Sequence, residues 1–162
     1  NTSGHEGKTH ELHNIKVQQL MDNPIYKTTL PIELTNGNTG RGSKWFSSAK
    51  IRNEIESYLR ALGYERTPFG VLVEVHVTRL YGKGKRLWDS SSIGRGNWKE
   101  IEDALVVLGW FHDDSAKYIT ETRFFQVKDA KGGILVEVYE SSQQHTTTNR
   151  IGAVMTQKGG AK

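Results

Sequence analysis

Valine occupies four alternate positions in the segment VLVEVHVTRL, residues 71–80. Side chains of a β-strand point alternately to opposite faces of a sheet, so this spacing predicts a strand with one buried face. His76 is then on the opposite face. A second strand is predicted over residues 25–35, IYKTTLPIELT, with Pro31 at a sheet edge or in a bulge.

Two other segments space their apolar residues every three or four positions, which predicts amphipathic helices. The first is capped by Ser47 or Ser48 and ends at Gly63, and the second runs from about Asn97 to Leu108. The apolar stripes are Ile51, Ile55, Leu59 and Leu62 in the first helix, and Ile101, Leu105 and Leu108 in the second. Each helix therefore has one face to bury.

Residues 117–127 and 134–140 are predicted to form a β-hairpin joined by KDAKGG. The element order is then β-α-β-α-β-β, with too few helices for a doubly wound sheet. We expect an α+β domain, a small mixed β-sheet with two main helices packed on one face. This domain is assigned to residues 28–140, after a polar arm over residues 1–27 and before a loosely ordered polar tail over residues 141–162.

The composition is that of one folded domain with polar tails. Of 162 residues, 35% are hydrophobic and 25% are charged. No apolar run approaches the roughly 20 residues that span a membrane, and the first residues lack the layout of a signal peptide. The absence of cysteine excludes disulfides, thiol nucleophiles and cysteine-bound metals. We therefore expect a cytoplasmic protein.

Cations gather in two glycine-containing loops, although the net charge of +4 is modest. The first group lies in and just after residues 36–47, where the aromatic residues are Trp45 and Phe46 and the cations are Arg41, Lys44, Lys50 and Arg52. The second lies in residues 81–97 with Tyr81, Trp88 and the following Trp98, and its cations are Lys83, Lys85, Arg86 and Arg95. Cations interleaved with aromatic residues suit nucleic-acid phosphates and exposed bases. The alternative is solvated loops with core aromatics, which is the preferred interpretation for Trp45 or Trp98 alone.

Two adjacent aspartates, Asp113 and Asp114, follow the second helix in WFHDDSAK. Mg²⁺ prefers oxygen ligands and commonly uses one or two protein carboxylates with waters and substrate phosphate. Asp89 and one member of this pair meet that requirement. The alternative is an ordinary solvated turn, because aspartate is common in turns.

Lys99 lies in the first turn of the second helix, where the helix dipole favours an acid. This placement indicates an anion such as a scissile phosphate, and a surface lysine without a role is the alternative. No nucleotide cofactor is expected, because GNTGRGSK lacks the ending of a phosphate loop and GKGK is not a dinucleotide fingerprint. The histidines form no HExxH pattern.

Over about residues 28–140, the chain resembles the RusA family of Holliday-junction resolvases. The resemblance rests on a lysine opening a helix, an Asp-Ala-Leu step, a Gly-aromatic step and an Asp-Asp pair. These are Lys99, Asp103-Ala104-Leu105, Gly109-Trp110 and Asp113-Asp114. The segment NTGRGSKWFSSAKIRNEI and the strand order are also similar to those of the family.

The resemblance implies a Mg²⁺-dependent homodimer, with Mn²⁺ as a possible substitute, that nicks four-way DNA junctions symmetrically in a bacterial or phage-infected cell. It implies that Asp114 binds the metal beside Asp113, that Lys99 contacts the phosphate and that Asp103 is an acid near the site. The residues expected to hold the junction arms are Arg41, Lys44, Lys83, Lys85, Arg86 and Arg95.

The chain departs from the family where Asp-x-Asp-Asn is expected, because it has Asp89-Ser90-Ser91-Ser92 there. Asp89 stands for the first aspartate, whereas Ser91 replaces the second. A serine hydroxyl can bind a metal or orient a water, but it brings no charge. The loss of one carboxylate weakens Mg²⁺ binding, and Asn97 and Glu102 are the candidates to compensate.

Two DNA-related hypotheses follow from these residues. In the first, an endonuclease holds its metal with Asp89 and Asp114, and Lys99 stabilises the transition state of phosphodiester hydrolysis. In the second, a RusA-like protein binds branched DNA but cleaves poorly or not at all because of Ser91. Both predict salt-sensitive DNA binding. A third, weaker hypothesis is an interaction domain whose basic loops meet an acidic protein.

Overall fold

The computed structural model describes residues 23–36 and 48–142. The predicted arm up to residue 22, the tail from residue 143, and Arg41, Lys44 and Trp45 in the first basic loop lie outside the described residues. The elements are β1 (Tyr26–Leu30), α1 (Ser48–Ala61), β2 (Val73–Tyr81), α2 (Ser90–Ile93), α3 (Trp98–Val107), β3 (Ile119–Lys128) and β4 (Gly133–Glu140).

The four strands form one mixed sheet in the order β1-β4-β2-β3. β4 is antiparallel to both of its neighbours, β1 and β2, whereas β2 and β3 run parallel. Parallel neighbours need a crossover connection, and α2 and α3 lie in this one. The expected α+β class with a small mixed sheet is confirmed.

The predicted hairpin between residues 117–127 and 134–140 is wrong. Both strands form, but β2 lies between them: Val77 pairs with Phe124 of β3 on one side and Val136 of β4 on the other. The physical reason is the burial of β2, since its valines at alternate positions are at most 1% exposed. A strand this apolar is best buried in the centre of the sheet, with a neighbour along each edge.

One face of the sheet carries the core, and both longer helices contribute to it. The cluster of buried side chains includes Val73, Val75 and Val77 of β2, Ile134, Val136 and Val138 of β4, Leu59 of α1, and Ile101 and Leu105 of α3. Burying one such side chain contributes about 1.5–3 kcal/mol. The expected packing of two main helices on one face is confirmed, and His76 lies on the other face.

Several predicted boundaries shift for local reasons. β1 ends at Leu30, because Pro31 has no N–H group to continue the ladder. The predicted helix ends are confirmed, since Gly63 and Gly109 adopt left-handed backbone angles of φ 83° and 87°. The short helix α2 was not predicted. Among the described residues, no helix has the length and apolar character required to cross a membrane.

Candidate functional site

Three carboxylates surround the ammonium group of Lys99, which lies in the first turn of α3. Two of them come from α3 itself and the third from the turn that follows it. Lys99 Nζ lies 2.9 Å from Asp103 Oδ1 and 3.9 Å from Glu102 Oε2, because residues three and four positions apart share a helix face. Its third ion pair is with Asp114 Oδ2. We call these four residues the acidic cluster. The structure thus brings together Lys99, Asp103 and Asp114, three of the predicted site residues.

The turn after α3 carries Asp114 to the cluster because the residues before it are anchored. Trp110 is fully buried, and its indole Nε1 donates a hydrogen bond of 2.7 Å to the Tyr64 carbonyl. Phe111 is also buried, and the chain then emerges at His112 and stays exposed through Asp114. The Asp113 carboxylate accepts a hydrogen bond of 2.7 Å from the Asp114 N–H. Asp113 therefore fixes the backbone of its neighbour.

The acidic cluster shifts the ionisation of its members in different directions. The hydrogen bond to Asp114, followed by that to Asp103, raises the pKa of Lys99. The same bond from Lys99, with the Asp113 contact, lowers the pKa of Asp114. Burial raises the pKa of Glu102, against the attraction of Lys99. Lys99 and Asp114 are consequently a charged pair at neutral pH.

The charge balance of the acidic cluster favours a cation over an anion. Three carboxylates around one ammonium leave two excess negative charges when all are ionised. The unfavourable position of Lys99 at the start of α3 is thus offset by the protein's own acids, and a bound phosphate is not required to explain it.

Asp89 and Ser91 make no hydrogen bond or ion pair with the acidic cluster. Asp89 precedes α2, and its backbone carbonyl accepts a hydrogen bond of 2.9 Å from the Ser92 N–H. Its exposed carboxylate has no hydrogen bond or ion pair with the described residues. Ser91 is also exposed. The Asp89 carboxylate therefore takes no part in the ion pairs of the acidic cluster.

Of the two candidates to compensate for the missing acid, only Glu102 reaches the cluster. The Asn97 side chain accepts a hydrogen bond from the Thr35 N–H at 2.8 Å and donates one to the Glu33 carbonyl at 3.2 Å. Asn97 therefore ties the segment after β1 to the start of α3. This role depends on contacts more than 60 positions away in sequence, so no local pattern indicates it.

Carboxylate oxygens suit Mg²⁺ or Mn²⁺, but Lys99 already binds those of the cluster. Within residues 23–36 and 48–142, no group of three or more histidine, aspartate or glutamate side chains has the arrangement of a metal site. A cation at this position would have to replace the ammonium group of Lys99. As placed, the carboxylates of Asp103, Asp114 and Glu102 do not form such a site, and they could hold a cation only after Lys99 moved away from them.

The second basic loop borders a cavity of about 600 Å³ beside the end of β2. Lys83, Lys85 and Arg86 are exposed and line this basic cavity, whereas Arg95 is exposed and does not. Lys85 also lies 3.8 Å from Glu33. Three of the predicted DNA-binding residues are therefore brought together in one place.

Sequence analysis missed Arg79, a buried cation in the wall of the basic cavity. Its side chain belongs to the inward series of β2, two positions after Val77, and is only 6% exposed. Its guanidinium carbon lies 3.5 Å from the centre of the Trp88 ring. The alternation that predicted β2 could have indicated it, since position 79 continues the buried face.

The comparisons with known proteins add no relative. No protein-family model matches the chain, and no curated protein matches it. The resemblance to RusA resolvases therefore stays a prediction based on the motif residues.

Proposed function

We propose that this protein is a RusA-like, Mg²⁺-dependent endonuclease that binds branched DNA and hydrolyses its phosphodiester bonds. The observation that supports this proposal best is the convergence of Lys99, Asp103 and Asp114. They come from α3 and from the turn beyond it, and they form one solvent-accessible cluster of acids around a lysine. Such a cluster has the residue types that metal-dependent phosphodiester hydrolysis requires.

Within this proposal, Asp114 and Asp103 hold the metal, and Glu102 supplies the carboxylate that Ser91 lacks. Asp89 stays a predicted ligand because its exposed carboxylate is uncommitted in the described part of the chain. When bound, the metal activates the attacking water and stabilises charge on the phosphate. Lys99, which the same carboxylates bind in the metal-free protein, would then be the cation that contacts a phosphate oxygen.

The basic cavity supports the DNA-binding part of the proposed function. Lys83, Lys85 and Arg86 are exposed cations on one side of the domain, and contacts of this kind bind phosphates without reading sequence. A two-fold homodimer would present two such sites and would suit two symmetric nicks.

One observation favours a second candidate, a junction-binding protein with little or no cleavage. Lys99 Nζ already binds the carboxylates of Asp103 and Asp114, and Asp89 lies outside the cluster. A metal must then compete with an ion pair that the protein already has. DNA binding would remain, because it depends on other residues.

A cleavage assay separates the two candidates. Labelled four-way junctions are incubated with the protein and Mg²⁺ or Mn²⁺, and the strands are resolved on a denaturing gel. We expect paired nicks from the wild type, at least about 100-fold less product from Asp114→Asn, and a smaller loss from Glu102→Gln. Glu54→Gln, which changes an exposed acid on α1, is the matched control.

Absence of nicks with either metal would reject the endonuclease. Creation of cleavage by Ser91→Asp in an otherwise inactive protein would then support the binding-only candidate. If the protein also failed to bind junctions at low salt, an acidic protein partner would become the better explanation of the basic loops.

A further inference from the structure

The basic cavity beside the end of β2 has a strong excess of positive charge. Its lining includes the cations Arg79, Lys83, Lys85, Arg86 and Lys131, and Glu33 as the acid. The cations come from β2, from the loop after it and from the β3–β4 connection. Five positive side chains facing one carboxylate leave the cavity suited to an anion.

Arg79 makes the cavity a built site. Its side chain is only 6% exposed, and no carboxylate of the described residues is within ion-pair distance of it. Its Nη1 donates hydrogen bonds of 3.0 Å to the Arg86 carbonyl and to Gln126 Oε1. Burial lowers the pKa of Arg79. Attraction by Glu33 opposes this shift, but the hydrogen bonds of the guanidinium are to neutral groups, so no ion pair with a described residue cancels its charge.

Gln126 fixes the position of this guanidinium. Its Oε1 also accepts a hydrogen bond of 3.0 Å from the Trp88 N–H, and its Nε2 donates one of 2.8 Å to the Trp88 carbonyl. Arg79 and Trp88 are therefore held against each other by one side chain of the neighbouring strand. A group held in this way loses little further conformational entropy on binding a ligand.

The backbone of the β3–β4 connection shapes the other wall. Gly132 and Gly133 have left-handed φ angles of 67° and 107°, and a Cβ added at Gly133 would lie 2.8 Å from the Leu30 carbonyl oxygen. A side chain at Gly133 would therefore collide with the backbone of β1, whereas at Gly132 the positive φ angle alone disfavours one. A cavity of about 600 Å³ is within the range of about 300–1,000 Å³ typical of small-molecule sites.

We propose that this cavity binds a phosphate group of a nucleotide, with Arg79 as the fixed cation and Lys83 and Lys131 as flexible ones. Guanidinium groups bind phosphate oxygens through paired N–H donors, and Trp88 and Tyr81 provide ring surface for a base. The nucleotide is either part of an unpaired DNA strand or free. The choice of a nucleic-acid ligand rests on the proposed function, but the cavity shares no residue with the acidic cluster.

The test is equilibrium binding of a short fluorescent oligothymidylate, with excess EDTA so that cleavage plays no part. Thymidine monophosphate is the second ligand, measured by competition. The variant Lys83→Gln/Lys131→Gln removes two exposed cations of the cavity. The matched control, Lys27→Gln/Arg123→Gln, removes the same charge from the opposite face of the sheet.

We expect the cavity variant to weaken oligothymidylate binding about tenfold or more and to lower the salt slope by about 1–2. The control should change binding less than about threefold. Arg79→Gln should weaken it at least as much as the cavity variant, with folding checked by circular dichroism because Arg79 is buried. Lys83 and Lys131 are exposed, so the double variant keeps the test valid if Arg79→Gln unfolds.

Binding of either ligand that depends on the cavity residues supports the proposal, and the tighter ligand identifies the source of the phosphate. Equal losses in the cavity variant and the control, or no binding of either ligand at low salt, would overturn it. Glu54→Gln, an exposed variant on α1 outside both sites, should bind as the wild type does. Binding is measured in EDTA, where no cleavage occurs, so a failure of cleavage alone would leave this inference standing.

Discussion

Lys99 shows how one residue can have both a structural and a functional explanation. Its side chain is 59% exposed and that of Asp114 is 33% exposed, and ion pairs this accessible to water contribute at most about 1 kcal/mol to stability. The pair therefore contributes little to the free energy of folding. Its functional explanation is that a cation from solution could replace the ammonium group of Lys99 at these accessible carboxylates.

The stability contribution of Asp114 should depend on pH with a known sign. The pKa of Asp114 is lowered from 3.8 in the folded state, chiefly by Lys99. Its contribution is therefore present above pH 3.8 and is lost as the pH falls through the lower, folded-state pKa. The pKa of Lys99 is raised from 10.5, so its part is lost only at pH values above 10.5.

We expect Asp114→Asn to lower the free energy of unfolding by less than about 1 kcal/mol at neutral pH and to leave it unchanged in strong acid. Urea unfolding from pH 2 to 8 measures this, with Glu54→Gln as the control. A difference that persisted below the folded-state pKa would show that the asparagine disturbs packing and that the loss of charge is not the cause.

At the scale of elements, the start of α3 and the segment after β1 are joined at one crowded point. Asn97 makes its two hydrogen bonds to backbone groups of this segment. A Cβ added at Gly96 would lie 1.5 Å from the Thr35 carbonyl oxygen. Glycine is required here because the two backbones approach closely, and no left-handed angle is involved.

Gly96→Ala should destabilise the protein by more than about 2 kcal/mol, because the new methyl group meets backbone atoms that cannot rotate away. Gly70→Ala is the matched control, since a Cβ there meets no atom within 4 Å; its effect should stay within about 1 kcal/mol. Urea unfolding gives both values. Equal effects would contradict the close approach of the two backbones.

At the scale of the whole molecule, the order of strands decides which backbone groups water can reach. β4 pairs along both edges with β1 and β2, whereas β3 pairs with β2 alone among the described strands. The apolar residues Phe125 and Val127 of β3 are 44% and 52% exposed. β3 is thus an edge strand with exposed apolar side chains, a feature that proteins usually protect.

Amide hydrogen exchange should show this order directly. We expect slow exchange at consecutive residues of β4 from Ile134 to Val138, and alternating slow and fast exchange along β3, because every second N–H of an edge strand lacks a strand partner. Uniform protection of β3 would contradict its position as a free edge. It would show that another segment or a second copy of the chain covers that edge.

Local patterns were sufficient for the four strands and the two longer helices, but not for the short helix α2. Alternating valines determined β2, a period of three to four residues determined α1 and α3, and Gly63 and Gly109 marked the helix ends, because each signal depends only on neighbours in sequence. Asp103 was singled out by the resemblance alone, although its spacing of four residues from Lys99 on one helix explains why the two side chains meet. The α+β class followed from the order of these elements.

Only the tertiary structure decided which elements touch. Alternation tells which face of a strand is buried but not which strand lies beside it, so β3 and β4 were wrongly paired although β2 separates them. The contact between Lys99 and Asp114 and the bonds of Asn97 to residues 33 and 35 depend on chain reversals that no short pattern encodes. Arg79 became a candidate ligand-binding residue only when a cavity was seen beside it.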